Sequence, residues 1–319
     1  MIQVFSTRQD KPRSYRYGEY DHQLSFDPIE LSVSQDGKKW TSIFDVPDLV
    51  NVYCARAPDV QPANQSNNYR RIAIQDGQRL LSSAYDQRDF TVTFFTDSSI
   101  DEPDTLLGFD ALQRFLVGRK PYWICFSNWP QRMYYVMAKL GKPTFYADRG
   151  WSTEVTFTDL IGLSRSIGTS LDYDNHVLGF GNNEPLDKPQ YSFNINGKGK
   201  FTVLNQSDVL VDPERRGHDF VLTLDGSSNG NMKITNKTTG DEINRKGVTT
   251  TDKNNKATQG KSDFKGKWVL DGVRTTLDGK SDTLQNDQGV ITLQKENNDF
   301  EIENFTGKVT FDFPFWWLS

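Results

Sequence analysis

Arg88-Asp89-Phe90-Thr91-Val92-Thr93-Phe94-Phe95 lies inside a stretch, residues 76–140, around which the remaining chain is arranged. Phe90, Val92 and Phe94 alternate with Thr91 and Thr93, so this segment reads as a strand with one face in a core. Downstream, Phe109, Leu112 and Leu116 recur at helical spacing with Phe115 beside them, which puts one apolar stripe on a short helix over 106–118. Gly118 ends that helix and Pro121 forbids its return. Residues 133–140, Met-Tyr-Tyr-Val-Met-Ala-Lys-Leu, are apolar on both faces, as in a strand covered from two sides. The expectation is one helix clamped between strands of an otherwise β chain.

The flanks agree with that reading. Ile29, Leu31 and Val33 alternate, Asp36-Gly37 turns the chain, and Trp40 and Ile43 follow on the return, a hairpin signal. Residues 57–68 carry two prolines and three asparagines and read as a long loop, a type that is often functional or mobile. Trp151, Val155 and Phe157 alternate with polar residues, giving a half-buried strand. Residues 171–189 are rich in Gly, Asn, Asp and Pro and are expected to link a domain over 1–170 to one over 190–319. In the second half, Tyr191, Phe193 and Ile195 alternate, Asn196-Gly197 is expected to turn, and Phe201 and Val203 return. Phe220, Leu222 and Leu224 form another alternating strand, and Val309, Phe311 and Phe313 a last one, running into Pro314-Phe315-Trp316-Trp317. Residues 241–266 are polar, with Ile243, Val248 and Phe264 the only large apolar residues, and read as a protruding loop or a partner-binding arm. Many short strands with regular turn signals mean a sandwich or barrel.

The composition narrows the function classes. Over 319 residues the formal net charge is -5, so no general basic field attracts nucleic acid. No stretch approaches the length of a membrane span, and Met1-Ile2-Gln3-Val4 does not open a signal peptide. Cys54 and Cys125 are far apart and read as reduced thiols, Cys125 as a small apolar filler. His22, His176 and His218 fall in separate segments without metal spacing and are expected in exposed or turn positions. Most of the paired-carboxylate candidates for a glycosidase stand as Asp-Gly turns, at Asp36, Asp76, Asp225, Asp271 and Asp278. Gly197-Lys198-Gly199-Lys200 lacks the phosphate-loop pattern, and Asp282 with Asp287 and Gly289 fails calcium-loop spacing. No catalytic, cofactor-binding or metal-binding residue is assigned, and no cofactor is expected. Trp316 is the one candidate for a sugar-stacking platform; otherwise the terminal aromatics read as core.

On specific residues the chain resembles siphophage distal tail proteins. In the first half these are Asp76-Gly77, then Tyr85 with Arg88-Asp89-Phe90, the helix before Lys120-Pro121-Tyr122, and the Tyr134-Tyr135 strand. In the second half they are Ile234-Thr235-Asn236-Lys237-Thr238-Thr239-Gly240, Leu277-Asp278-Gly279, Leu293 with Asn297, Phe300 and Ile302, and the aromatic terminal strand. One departure stands out: the family usually has Gly shortly before that Asn, and this chain has Glu296, so the turn is expected to differ. The resemblance implies a mainly β protein, an N-terminal β-sandwich with one α-helix plus a C-terminal galectin-like β-sandwich. It implies a non-enzymatic virion component, assembled in the bacterial host cytoplasm, that forms a homo-hexamer ring, single or stacked, at the tail tip or baseplate. Its implied partners are the tail-tube protein, the tail-associated lysin or tip protein, and a receptor-binding protein, with neither nucleic acid nor a membrane span involved. An extended segment in the N-terminal domain of that family helps bind neighbouring subunits. The alternative class is a carbohydrate-binding adhesion module for host cell-wall glycans.

Overall fold

The computed structural model describes residues 2–12, 28–54, 56–74, 76–96, 101–146, 150–175, 188–247, 249–251, 253, 257–259 and 262–319. The chain divides into two compact units, one of Met1–Ile167 with Leu318–Ser319, the other Gly168–Trp317. Of the interval 171–189, residues up to 175 belong to the 3-10 turn Ser170–Asn175, and 176–187 lie outside the described residues.

In the first unit an antiparallel sheet runs in the order Thr41–Ser42, Leu31–Ser34, Tyr122–Phe126, Arg132–Leu140, Gly150–Asp159, Arg88–Thr96, Tyr53–Cys54. The alternation in Arg88–Thr96 becomes geometry: Phe90, Val92 and Phe94 are buried, paired in register with Phe157, Val155 and Thr153. Rings of Phe90, Phe157, Phe126 and Tyr134 meet on that face, supplying the large buried area that compensates for a modest apolar content. The helix spans Glu102–Leu116, four residues further upstream than the apolar stripe alone indicates. Asp101 caps it by accepting from the Asp104 N–H, and Pro103 sits in the first turn, where its missing donor is harmless. Leu112 and Leu116 are fully buried, and Phe109 meets Trp151 edge-on at 5.6 Å. The Asp36-Gly37 hairpin forms, pairing Ser32 with Ser42, but its return strand is only Thr41–Ser42: Trp40 precedes it and Ile43 opens the 3-10 turn Ile43–Asp45.

The second unit holds an eight-stranded sheet built on the 17-residue strand Glu296–Asp312. Ser192–Asn205 runs along its whole length, while Val221–Ser228 and Met232–Asn236 share its other side. Here two expectations fail. Asn196-Gly197 makes no hairpin; it lies inside one 14-residue strand whose partner continues past it, with Gly197 opposite Phe305 and Lys198 opposite Glu303, so that Asn304 of the partner is the extra, bulged residue. Asp225-Gly226 is no turn either. It lies within Val221–Ser228 opposite Gly307, where a Cβ on Gly226 would stand 2.2 Å from the Thr306 carbonyl oxygen. Two backbones approach there closely enough to exclude any side chain.

The expected 241–266 loop is also corrected. It consists of the strand Glu242–Arg245, the hairpin of Thr249–Thr251 with Ala257–Gln259, and the start of Phe264–Asp271. Ile243 and Phe264, sparse as they are, reach the core and fix its two ends.

Candidate assembly surface

The segment expected as a loop over 57–68 is the origin of a long, exposed two-stranded element. Asn64–Arg70 and Arg79–Asp86 pair only with each other, as a separate two-stranded sheet. Nearly every residue of both strands faces solvent. Prolines and asparagines hid the strand from a propensity reading, but an arm that meets no core needs no apolar alternation. Its outer part carries Tyr69, Ile72, Ile74, Leu80 and Leu81, all exposed, Ile74 at 97%. Exposed apolar residues concentrated on one projection mark an interaction surface.

The arm is rooted firmly. Asp86 ends it and Arg88 opens the next strand. The Arg88 guanidinium donates to the Asp159 carboxylate at 3.1 Å and to the backbone carbonyls of Gln61, 3.1 Å, and Leu318, 2.6 Å. Burial raises the Asp159 carboxyl above the ordinary carboxylate range, against the opposing pull of Arg88. Gly162, at φ 73°, lies so close that a Cβ there would stand 2.0 Å from the Asp86 carbonyl oxygen. Beside the root is a hollow of about 680 Å³ lined by Pro58, Pro62, Tyr85, Phe126, Trp129 and Tyr134, among others.

The residues weighed for chemistry end up in structural roles. His22 and His176 lie outside the described residues. His218 is not exposed: it is 8% accessible, accepts at Nδ1 from the Asp212 N–H, and stacks on Trp316 at 5.0 Å. Burial pushes its pKa down to about 4. Trp316 is itself only 4% accessible, so it offers no ring face to a sugar. Cys54 and Cys125 are buried free thiols, and burial raises both pKa values. Asp282 is committed to a two-point pair with Arg245, at 2.8 and 2.9 Å, and also accepts from Trp268 Nε1. Among the described residues no group of three or more His, Cys, Asp or Glu could hold a metal ion. No helix there is long and apolar enough to cross a membrane.

The resembling motifs of the second unit organise one buried polar cluster. Asn236 donates to the Thr292 carbonyl and to Asn298 Oδ1, while Asn205 donates to the Leu293 and Gln294 carbonyls. All three asparagines are fully buried, and their donations satisfy carbonyls of the 292–296 crossing, the Val209 carbonyl and another asparagine. Glu296 holds φ at 71°, the left-handed conformation a glycine would adopt without cost.

With this geometry in place, comparisons with known proteins are informative. Residues 36–157 match the phage tail protein RIFT-related domain. That stretch, inside the first unit, is similar to a phage-tail domain, in line with the resemblance to siphophage distal tail proteins. Among solved structures, the chain has the fold of the SPP1 Dit protein. That protein is described as a paradigm of the hub adsorption apparatus in phages infecting Gram-positive bacteria. The TM-score is 0.56 at 14% identity, over 90% of this chain and 99% of that one. A chain of the phage P2 baseplate in its activated conformation with calcium aligns over 90% of this chain and 97% of its own, at 12% identity and a TM-score of 0.37. No curated protein matches in sequence.

Proposed function

We propose that this chain is a ring-forming hub subunit at the distal end of a siphophage tail. The carrying observation is an exposed two-stranded arm on a phage-tail domain, rooted by a buried ion pair. An element that buries little in its own protomer gains stability by burying apolar side chains against another. Six copies close a ring, single or stacked. One side meets the tail-tube protein, the other the tail-associated lysin or tip protein, with a receptor-binding protein further out. The second unit acts as a galectin-like sandwich, and the particle is assembled in the host cytoplasm. Its work is scaffolding: repeated interfaces set affinity, and closed symmetry sets copy number.

Replacing residues 65–85 by a short turn tests the reading. The truncated chain should keep its far-ultraviolet circular dichroism and lose self-association in sedimentation. Full association without the arm refutes it. The competing reading, a glycan-binding adhesion module, drew on Trp316, which is buried. A glycan array probed with the intact chain separates the two.

A further inference from the structure

The hollow beside the arm's root, about 680 Å³, has the size of a ligand site. Phe126 and Tyr134, both buried, line it together with Tyr85 and the 40% exposed Trp129. Its walls are held in place from behind. Asp59 and Val60 pair with Thr91 and Phe90, which fixes the segment bearing Pro58 and Pro62. The Arg132 guanidinium lies over the Trp129 ring at 4.6 Å, and the Trp129 N–H donates to the Phe126 carbonyl at 3.1 Å. An aromatic surface fixed in advance loses little entropy when something settles on it.

Three of its polar groups have no partner among the described residues. Tyr134 is only 3% exposed, yet its hydroxyl makes no hydrogen bond. The Trp129 Nε1–H is also unpaired. Asp59 makes no ion pair and is the only charged side chain lining the hollow. Two donors among apolar rings, with one carboxylate beside them, suit a ligand that brings carbonyls, apolar rings and a cation. A polyproline helix has that make-up. Its carbonyls accept, and its prolines carry no N–H that would be left unpaired. Its rings pack on aromatic side chains, and its backbone is already extended before binding.

We propose that this hollow is a docking site for a proline-rich extended segment of another protein, flanked by a basic residue. Trp129 and Tyr85 receive its proline rings, the Trp129 Nε1–H and the Tyr134 hydroxyl donate to its carbonyls, and Asp59 meets the flanking cation. None of the 13 prolines of this chain is followed by another three positions on, so a second copy offers no Pro-x-x-Pro segment to fill the site.

Fluorescence polarisation with the full chain tests it, the probe being a labelled oligoproline that carries one arginine at its end. The probe should bind saturably, and a glycine-serine peptide with the same arginine should not. Trp129→Ala should weaken binding at least about tenfold. Tyr134→Phe keeps the buried ring and removes only the hydroxyl, and should weaken it about three- to tenfold. Asp59→Asn should cost about two- to fivefold with the arginine probe and nothing with an oligoproline lacking it. Thermal melting of each variant checks that the fold is kept. No saturable binding at millimolar probe, equal binding of the glycine-serine control, or unchanged affinity in both Trp129→Ala and Tyr134→Phe overturns the proposal. Saturable binding of chitotetraose, titrated in parallel, where the oligoproline fails to bind would also overturn it and give the hollow to a glycan.

Discussion

Arg88 and Asp159 form an ion pair whose side chains are 1% and 0% exposed, and the same guanidinium holds the carbonyl of Gln61 before the arm begins. One residue thus ties the strand pair Arg88–Thr96 and Gly150–Asp159 to the arm's root. Removing one partner leaves a buried charge without compensation, which costs about 3–5 kcal/mol. Asp159→Leu should lower the urea midpoint accordingly. The double variant Arg88→Met with Asp159→Leu should recover most of the loss. An additive double variant would mean that the pair is not coupled.

His218 makes the second unit sensitive to acid. Its folded pKa, about 4, lies below the ordinary value of about 6.5, so the unfolded chain takes up the proton first. The group's contribution is intact above pH 6.5 and is lost as pH falls toward 4, by roughly 3 kcal/mol at most. Thermal melts between pH 7 and 4 should show a loss that His218→Gln removes. An identical pH slope in the variant would contradict this.

Glu296 occupies a conformation that glycine adopts more easily. Its side chain is exposed, so little contact is lost on replacement. Glu296→Gly should raise stability by up to about 1 kcal/mol, since the left-handed penalty exceeds the entropy glycine adds to the unfolded chain. The denaturant midpoint should rise with an unchanged slope; a fall would mean that the carboxylate has a partner worth more than the strain.

Gly162 presses on the arm's last residue. Gly162→Ala drives a methyl into the Asp86 carbonyl and adds a positive-φ penalty, for a loss of about 1–3 kcal/mol or more. The damage should centre on the arm root, seen as faster amide exchange over 79–88 than in the helix Glu102–Leu116. Equal exchange at both places would show that the contact does not govern the arm.

What the sequence disclosed depended on burial. Wherever a segment lies half in a core, as Phe90, Val92 and Phe94 do, apolar spacing gave the strand and its facing. The helix stripe was legible from Leu112 and Leu116, whereas its first turn, fixed by Asp101 and Pro103, carries no apolar signal and was missed. The arm escaped because nothing inside the protomer rewards a pattern in Asn64–Arg70. Asn196-Gly197 misled because a dipeptide that suits a hairpin can also stand inside a long strand opposite a bulge, and only the length of the partner strand decides. His218 looked exposed from its polar neighbours; its burial comes from Trp316, nearly a hundred positions away and invisible to local reading.

Negative-stain imaging of the purified wild-type chain, with its mass measured in the same sample, bears most directly on the ring. Six-fold particles with a central opening, at a mass of six 36.5 kDa chains or twice that number, are the predicted result. Single protomers at every concentration, or a symmetric dimer joined through identical surfaces, would contradict it.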